Sequence, residues 1–302
     1  YDHHLVRPKT GACAGGLTVA EVGLIGIGLV GSALAERFVK GGLSVIGYDR
    51  RPECTETLVA VGGMAAESSR AVVPAAPIVV LSLPDSDAVE EVIREVETDL
   101  PGRTVIDATT GDPERTATLG ARLKTAGIDY VDATIAGSSR QVRDGEVIIM
   151  AGGEQQAVLR CEDVFRLFAS RWFHVGPWGS GARMKLVVNL VLGLNRAVLA
   201  EGLSFARACA IDPKVAVTVL QAGPAFSRVM DTKGHKMIAG DFAPEARLSQ
   251  HHKDVRLILE AGTRAGIELP LSRVHEQLLT VAEELGLGDA DNSAIIRAFG
   301  NG

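Results

Sequence analysis

A chain of 302 residues, 46% apolar and 23% charged, has an ordinary globular composition and room for two domains. The formal net charge of −6, with no basic block, argues against a nucleic-acid partner. Cys13, Cys54, Cys161 and Cys209 form no CxxC pair, so free thiols in a reducing, cytoplasmic compartment are expected, not a disulfide framework or a metal site. No uninterrupted apolar stretch reaches about 18 residues, so no membrane span is expected.

Residues 1–16 lack an apolar signal core and read as a flexible N-terminal arm. Val19–Ile25 is then apolar apart from Glu21 and predicts a strand. It runs into Gly26-Ile27-Gly28-Leu29-Val30-Gly31, followed by an amphipathic helix over Ser32–Lys40 that Gly41-Gly42 stops. Leu43–Tyr48 predicts a second strand, with Asp49 at its end, 18 residues beyond Gly31. A GxGxxG between strand and helix, with an acid after the next strand, is the setting of a dinucleotide site. The glycines let backbone approach a pyrophosphate, and the helix N-terminus attracts it. Asp49 suits the ribose hydroxyls of NAD, whereas Arg50 and Arg51 suit the 2′-phosphate of NADP, so either cofactor fits this stretch.

The alternation continues. Strands are predicted at Pro77–Leu83, Thr104–Ala108, Tyr130–Ala133, Glu146–Ala151 and Trp172–Val175. Helices are predicted at Asp87–Glu97, Pro113–Ala126 and Glu154–Ala169. Repeated units of this length imply a doubly wound α/β sheet, with ligands beyond the carboxyl ends of the strands. Leu83, Pro84, Thr109 and Thr110 sit at such ends.

After Gly179-Ser180-Gly181 the pattern turns wholly helical. The first helix, to about Cys209, is apolar on nearly every turn, which predicts a buried element. Lys185 and Asn189 lie on one face of it. Further helices are predicted at Pro213–Gln221, Ala225–Lys233, Pro244–Gly262, Pro270–Leu285 and Ser293–Ala298. The expected division is therefore a dinucleotide-binding Rossmann-type domain over 17–179 and an all-helical substrate and oligomerisation domain over 180–302. The catalytic cleft is expected between them.

Taken together these motifs resemble the β-hydroxyacid dehydrogenase family, over roughly residues 19–299. The likeness rests on Gly23–Gly31, Asp107-Ala108-Thr109-Thr110, Asp132–Ser138, Gly179-Ser180-Gly181 with Lys185 and Asn189, Lys253-Asp254, and Gly288–Ser293. It implies an NAD- or NADP-dependent oxidoreductase that interconverts a short β- or ω-hydroxy acid with its semialdehyde. By the same resemblance, Lys185 is the acid/base and Asn189 positions it and the substrate. Ala136-Gly137-Ser138 forms the substrate turn, and Lys253 closes the site near the cofactor. Gly26, Ile27, Gly28, Leu29, Val30, Gly31, Asp49, Arg50, Leu83, Pro84 and Thr110 are the expected cofactor contacts.

Independently of the likeness, a buried lysine has its ammonium disfavoured and can exchange the hydroxyl proton as hydride moves. The family has serine where this chain has Ala136. That departure leaves the carboxylate to the Gly137 and Ser138 amides, the Ser138 or Ser139 hydroxyls, or Arg140 or Arg143. It also motivates the alternative of a cofactor-binding sensor or interaction protein without turnover. An imine-reductase-like activity is the other alternative, and Lys185 argues against it because those enzymes usually replace the lysine.

His251-His252-Lys253-Asp254 reads as a polar cleft rim rather than a metal site, since adjacent helical histidines diverge by about 100°. Asp254 is expected to bridge or cap without a direct part in the chemistry, and His174 to be a satisfied strand-end histidine. The long apolar helix predicts a homodimer or homotetramer through the helical domains.

Overall fold

The computed structural model describes residues 20–300. The predicted N-terminal arm and Cys13 lie outside the described residues.

Eight strands form one sheet: β1 (Val22–Ile25), β2 (Val45–Tyr48), β3 (Met64–Ala65), β4 (Ile78–Leu81), β5 (Thr104–Asp107), β6 (Asp129–Ala136), β7 (Val147–Gly152) and β8 (Ala169–Gly176). Their order is β3-β2-β1-β4-β5-β6-β7-β8. All neighbours are parallel except β6 and β7, which run antiparallel. The doubly wound sheet is thus present, with one reversed pair that the pattern of apolar runs did not disclose. Every residue of β1 is buried, as expected of a strand covered on both faces.

The helices of this half are α1 (Leu29–Lys40), α2 (Pro52–Ala60), α3 (Ser69–Ala75), α4 (Ser86–Val96), α5 (Pro113–Thr125), α6 (Ser139–Asp144), α7 (Gln155–Arg160) and α8 (Glu162–Phe168). One apolar layer gathers Leu34, Phe38, Val147, Phe165 and Phe168; another gathers Val72, Ile93, Leu100, Leu123 and Tyr130. Two departures from expectation stand out. The α2–β3–α3 stretch has short, weakly periodic elements that the sequence reading passed over. The predicted helix Glu154–Ala169 is two helices broken at Cys161, and its last residue already belongs to β8.

Chain order around β1 creates the site. The connection leaving β1 leads to β2 on one side, and β4 pairs on the other. The loops after β1 and β4 therefore diverge, leaving a crevice at the carboxyl ends of the strands.

The second half comprises α9 (Ser180–Ala208), α10 (Pro213–Ala222), α11 (Arg228–Ala239), α12 (Leu248–Arg264), α13 (Pro270–Glu284) and a terminal 3₁₀ helix, Asn292–Phe299. Helices α11 and α12 begin three and four residues later than the sequence predicts, because Ser227 and Arg247 still have extended backbone. Leu199, Ala200, Leu203, Leu248, Val255, Leu279 and Ile295 make this half's own core.

The expectation that α9 is buried all round is corrected. Only one face packs inward; Val187, Val191, Val198 and Phe205 on the other are exposed, the last two by 67% and 70%. By length and composition α9 is able to cross a bilayer. In this fold it packs against α11, α12 and β6.

Candidate active site

The glycine-rich turn is built for a ligand. Gly26 has φ +92°, and a Cβ there would lie 2.3 Å from the Ser82 carbonyl oxygen. A Cβ at Gly31 would lie 2.0 Å from the Gly26 carbonyl oxygen, so helix α1 approaches β1 too closely for any side chain. Gly28 differs: a Cβ there would meet only the Arg51 guanidinium, at 3.8 Å. The Gly28 carbonyl accepts the Ser32 N–H at 2.8 Å, and α1 starts there with no side-chain cap and no acid in its first turn. Its unclaimed amides and positive dipole end suit a pyrophosphate. Ile27 is buried, Leu29 is exposed at the turn, and Val30 is half-buried.

Asp49 closes the turn from the end of β2. The Ile27 N–H donates to Asp49 Oδ2 at 2.7 Å, and the Arg51 N–H donates to Oδ1 at 2.9 Å. Burial pushes the carboxyl up, but these backbone donors and the Arg51 guanidinium outweigh it and hold the pKa below the usual carboxylate range. The two arginines have separate places. Arg50, an expected cofactor contact, instead turns outward to Glu91 on α4 at 2.6 Å, because that acid faces it across an exposed gap. Arg51 is the one that lies over Gly28.

On the far side of the crevice, Leu83 and Pro84 follow β4 while Thr109 and Thr110 follow β5. The Leu83 N–H donates to Thr109 Oγ1 at 3.1 Å, so the two strand ends are tied together. Lys253, on α12, donates to the Pro84 carbonyl oxygen at 3.0 Å. That bond spans 169 residues and links the helical half to the rim of the sheet.

Helix α9 carries Lys185 and Asn189, the residues expected to act in the cleft. Lys185 Nζ donates to the Ile135 carbonyl oxygen on β6 at 2.5 Å. Burial pulls its pKa below the usual lysine range, and the nearby Asp254 charge opposes that pull. One turn on, Asn189 is buried, and its Nδ2 donates to Asp254 Oδ2 at 3.0 Å. Asp254 is itself buried, which raises its carboxyl pKa. Asp254, expected only to bridge or cap, bridges to Asn189. The available signal was its i+1 position after Lys253 on a helix that packs against α9.

The histidines also need correction. His251 and His252 are buried at 7% and 1% exposure, so they form no cleft rim. His251 stacks near His275, ring centroids 5.2 Å apart, in a space that Gly193 leaves open. His252 is flanked by Glu276 and Glu283 of α13. No group of three metal-binding side chains occurs among the described residues. His174 Nε2 donates to the Gly153 carbonyl oxygen at 2.9 Å, as a satisfied strand-end histidine does.

The turn expected to hold the substrate is partly committed elsewhere. Ala136 is the last residue of β6, and Gly137 has φ +151° with Val147 where a Cβ would be. Ser138 caps α6: its hydroxyl accepts the Gln141 N–H, and its own N–H donates to Gln141 Oε1 at 2.9 Å. Ser138 thus spends its hydroxyl and amide on the helix. Arg140 is exposed beside Asp144. Arg143 binds Glu36 and Ser32 of α1. These two arginines serve the surface and the α1–α6 contact.

Residues 21–176 match the family model for the NAD binding domain of 6-phosphogluconate dehydrogenase. Residues 179–299 match the one for the NAD-binding region of NADP-dependent 3-hydroxyisobutyrate dehydrogenase. The chain is 31% identical over 284 residues to 2-(hydroxymethyl)glutarate dehydrogenase of Eubacterium barkeri, covering 92% of this chain and 94% of that protein. It is 28% identical over 283 residues to 2-hydroxy-3-oxopropionate reductase of Escherichia coli, covering 92% and 97%. A solved structure of 3-hydroxyisobutyrate dehydrogenase from Salmonella typhimurium superposes with a TM-score of 0.83 at 26% identity, covering 92% and 99%.

Proposed function

The chain belongs to the β-hydroxyacid dehydrogenase family and is an NAD(P)-dependent oxidoreductase acting on CH–OH groups, and from that premise we propose that Lys185 is its acid/base, acting on a short hydroxy acid or the corresponding semialdehyde. The observation that carries this reading is the placement of one buried-stem lysine, with lowered pKa, beside an amide that a second side chain holds in place. When bound, the nicotinamide accepts or supplies the hydride.

The protein's own groups handle the proton. As an amine, Lys185 takes the hydroxyl proton of the alcohol during oxidation; as an ammonium, it returns a proton to the carbonyl oxygen during reduction. Asn189 has one N–H on Asp254, which leaves its second N–H and its carbonyl for the substrate oxygen and the amine. The residues around Gly28 fit the pyrophosphate, and Asp49 fits a ribose diol. A 2′-phosphate would meet the Asp49 carboxylate, so we propose a preference for NAD, with Arg51 lying along the adenosine side.

With Ser138 engaged by Gln141, the substrate carboxylate is proposed to rest on the Gly137 amide and the open end of β6 at Ala136. The relatives named above act on small carboxylates by their names, and this chain is proposed to share that class. The exposed apolar side chains of α9, with Val215 and Val219 of α10 and Leu271 and Val274 of α13, support assembly as a homodimer or homotetramer. Cys54, Cys161 and Cys209 are free thiols, which suits the proposed cytoplasmic compartment.

A panel of short hydroxy acids and semialdehydes, each assayed with NAD and NADP, tests the proposal. Hydride transfer on at least one three- to six-carbon member is expected; its absence across the panel would overturn the reading.

A further inference from the structure

Strand β6 grips the start of α9 at four successive points. The Trp178 indole N–H donates to the Tyr130 carbonyl oxygen at 2.8 Å. The Gly179 N–H donates to Asp132 Oδ2 at 2.6 Å. Thr134 Oγ1 donates to the Gly181 carbonyl oxygen at 2.9 Å. Lys185 Nζ donates to the Ile135 carbonyl oxygen. The chain runs from 178 to 185 while β6 runs from 130 to 135, so contact order follows strand order.

Asp132 is the centre of this arrangement. Its Oδ1 also accepts the Gly152 N–H from β7 at 3.0 Å. A Cβ at Gly181 would stand 1.9 Å from that oxygen, and one at Gly152 would stand 2.8 Å from both oxygens. Glycine is therefore required at 181 by the Asp132 carboxylate together with the Met150 and Asp132 carbonyl oxygens, 2.5 and 2.8 Å from such a Cβ. The side chain is 1% exposed, and burial raises its pKa to about 7. A buried acid that accepts the Gly152 N–H of β7 and the Gly179 N–H just before the 29-residue α9 is one of the points that join the sheet to the helical half.

We propose that Asp132 and Thr134 are positioning residues that set the register of α9 on β6, and so fix where Lys185 Nζ stands in the cleft. The alternation of strand side chains puts residues 132 and 134 on the same face of β6, so one rigid strand holds the chain on either side of the first residue of α9. Lys185 follows one turn later, and a slip of α9 would carry its amine away from the reacting carbon. This claim rests on Lys185 being the acid/base.

The experiment compares Asp132→Asn, Thr134→Val and Thr134→Ser with the parent chain. It reads kcat and KM across pH, and amide hydrogen exchange over residues 177–186. Asp132→Asn presents an amide N–H to one of the two backbone donors, and kcat is expected to fall about tenfold or more, because a displaced acid/base is costly. Thr134→Val is expected to lower kcat about three- to tenfold, the worth of one buried hydrogen bond. Thr134→Ser restores the parental value. Exchange quickens over 177–186 in both impaired variants and not over 20–40. The Lys185 limb of the pH profile moves to lower pH, since an ammonium without its carbonyl acceptor is less favoured; general destabilisation would not move it.

Should Asp132→Asn fail to fold, the Thr134 pair decides. Lys185→Ala is the control: parental turnover there removes the acid/base reading, and exchange over 177–186 still judges the register. Folded Asp132→Asn and Thr134→Val variants with parental exchange over 177–186 overturn the proposal. So does a parental kcat and pH limb in both while Lys185→Ala is inactive.

Discussion

Asn189 Nδ2 donates to Asp254 Oδ2 at 3.0 Å, across the α9–α12 interface. The bond fixes which face of the Asn189 amide is spent on protein and which is left for ligand. It also places a carboxylate near Lys185, where its charge opposes the loss of the ammonium. The proposed chemistry therefore depends on two helices, not one.

Removal of the amine is the direct test. Lys185→Ala is expected to keep NADH affinity while losing about a thousandfold or more in kcat, within the range that a lost general acid/base produces. Fluorescence titration of NADH and steady-state assays check the two halves separately. Turnover within about tenfold of the parent would refute the role.

The pH dependence follows from the direction of the Lys185 shift. Oxidation needs the neutral amine, so its rate rises as pH passes upward through the lowered Lys185 pKa. Reduction needs the ammonium, so its rate falls through the same point. Asp254→Asn removes the charge that favours the ammonium, so both limbs are expected at lower pH. Profiles of kcat in each direction read this, and a shift to higher pH would contradict it.

The proposed cofactor choice rests on Asp49. Its lowered pKa keeps it anionic where a 2′-phosphate would approach. Asp49→Asn removes the repulsion and is expected to move kcat/KM toward NADP by about tenfold or more, at some loss of NAD affinity. Arg50→Ala should leave the NAD-to-NADP ratio unchanged, since Arg50 pairs with Glu91. A large change there and none at Asp49 would reverse the assignment.

Substrate contact at the end of β6 can be probed by addition. Ala136→Ser places a hydroxyl on the same strand face as Thr134. It is expected to lower KM for short carboxylate substrates about three- to tenfold, the worth of one hydrogen bond. An unchanged KM across the panel would move the carboxylate away from Ala136.

Assembly should follow the exposed face of α9. Light scattering at micromolar concentration is expected to give a dimer or tetramer. Val198→Asp and Phe205→Asp should shift it toward monomer, because a charge on a covered apolar surface is costly. A monomeric parent chain would exclude the interface.

Much of this architecture was legible in residue order alone. Gly26, Gly28 and Gly31 between a buried strand and an amphipathic helix, with Asp49 after the next strand, announce the crevice because periodicity and glycine spacing are local properties. The change to helices after Gly179, and the shared face of Lys185 and Asn189, are local in the same sense.

What only the tertiary structure decided is how distant segments meet. Arg50 rather than Arg51 turns outward because Glu91 stands on a helix some forty residues on. Ser138 is spent on Gln141 once α6 forms, and Asp254 and the two histidines are buried by the packing of α12 on α9 and α13. Asp132 stands inside β6, but its partners at Gly152 and Gly179 come from other elements. Side-chain periodicity says which face turns inward; it carries no information about which backbone amide or carboxylate waits there, and those pairings set the charges and positions on which the reaction depends.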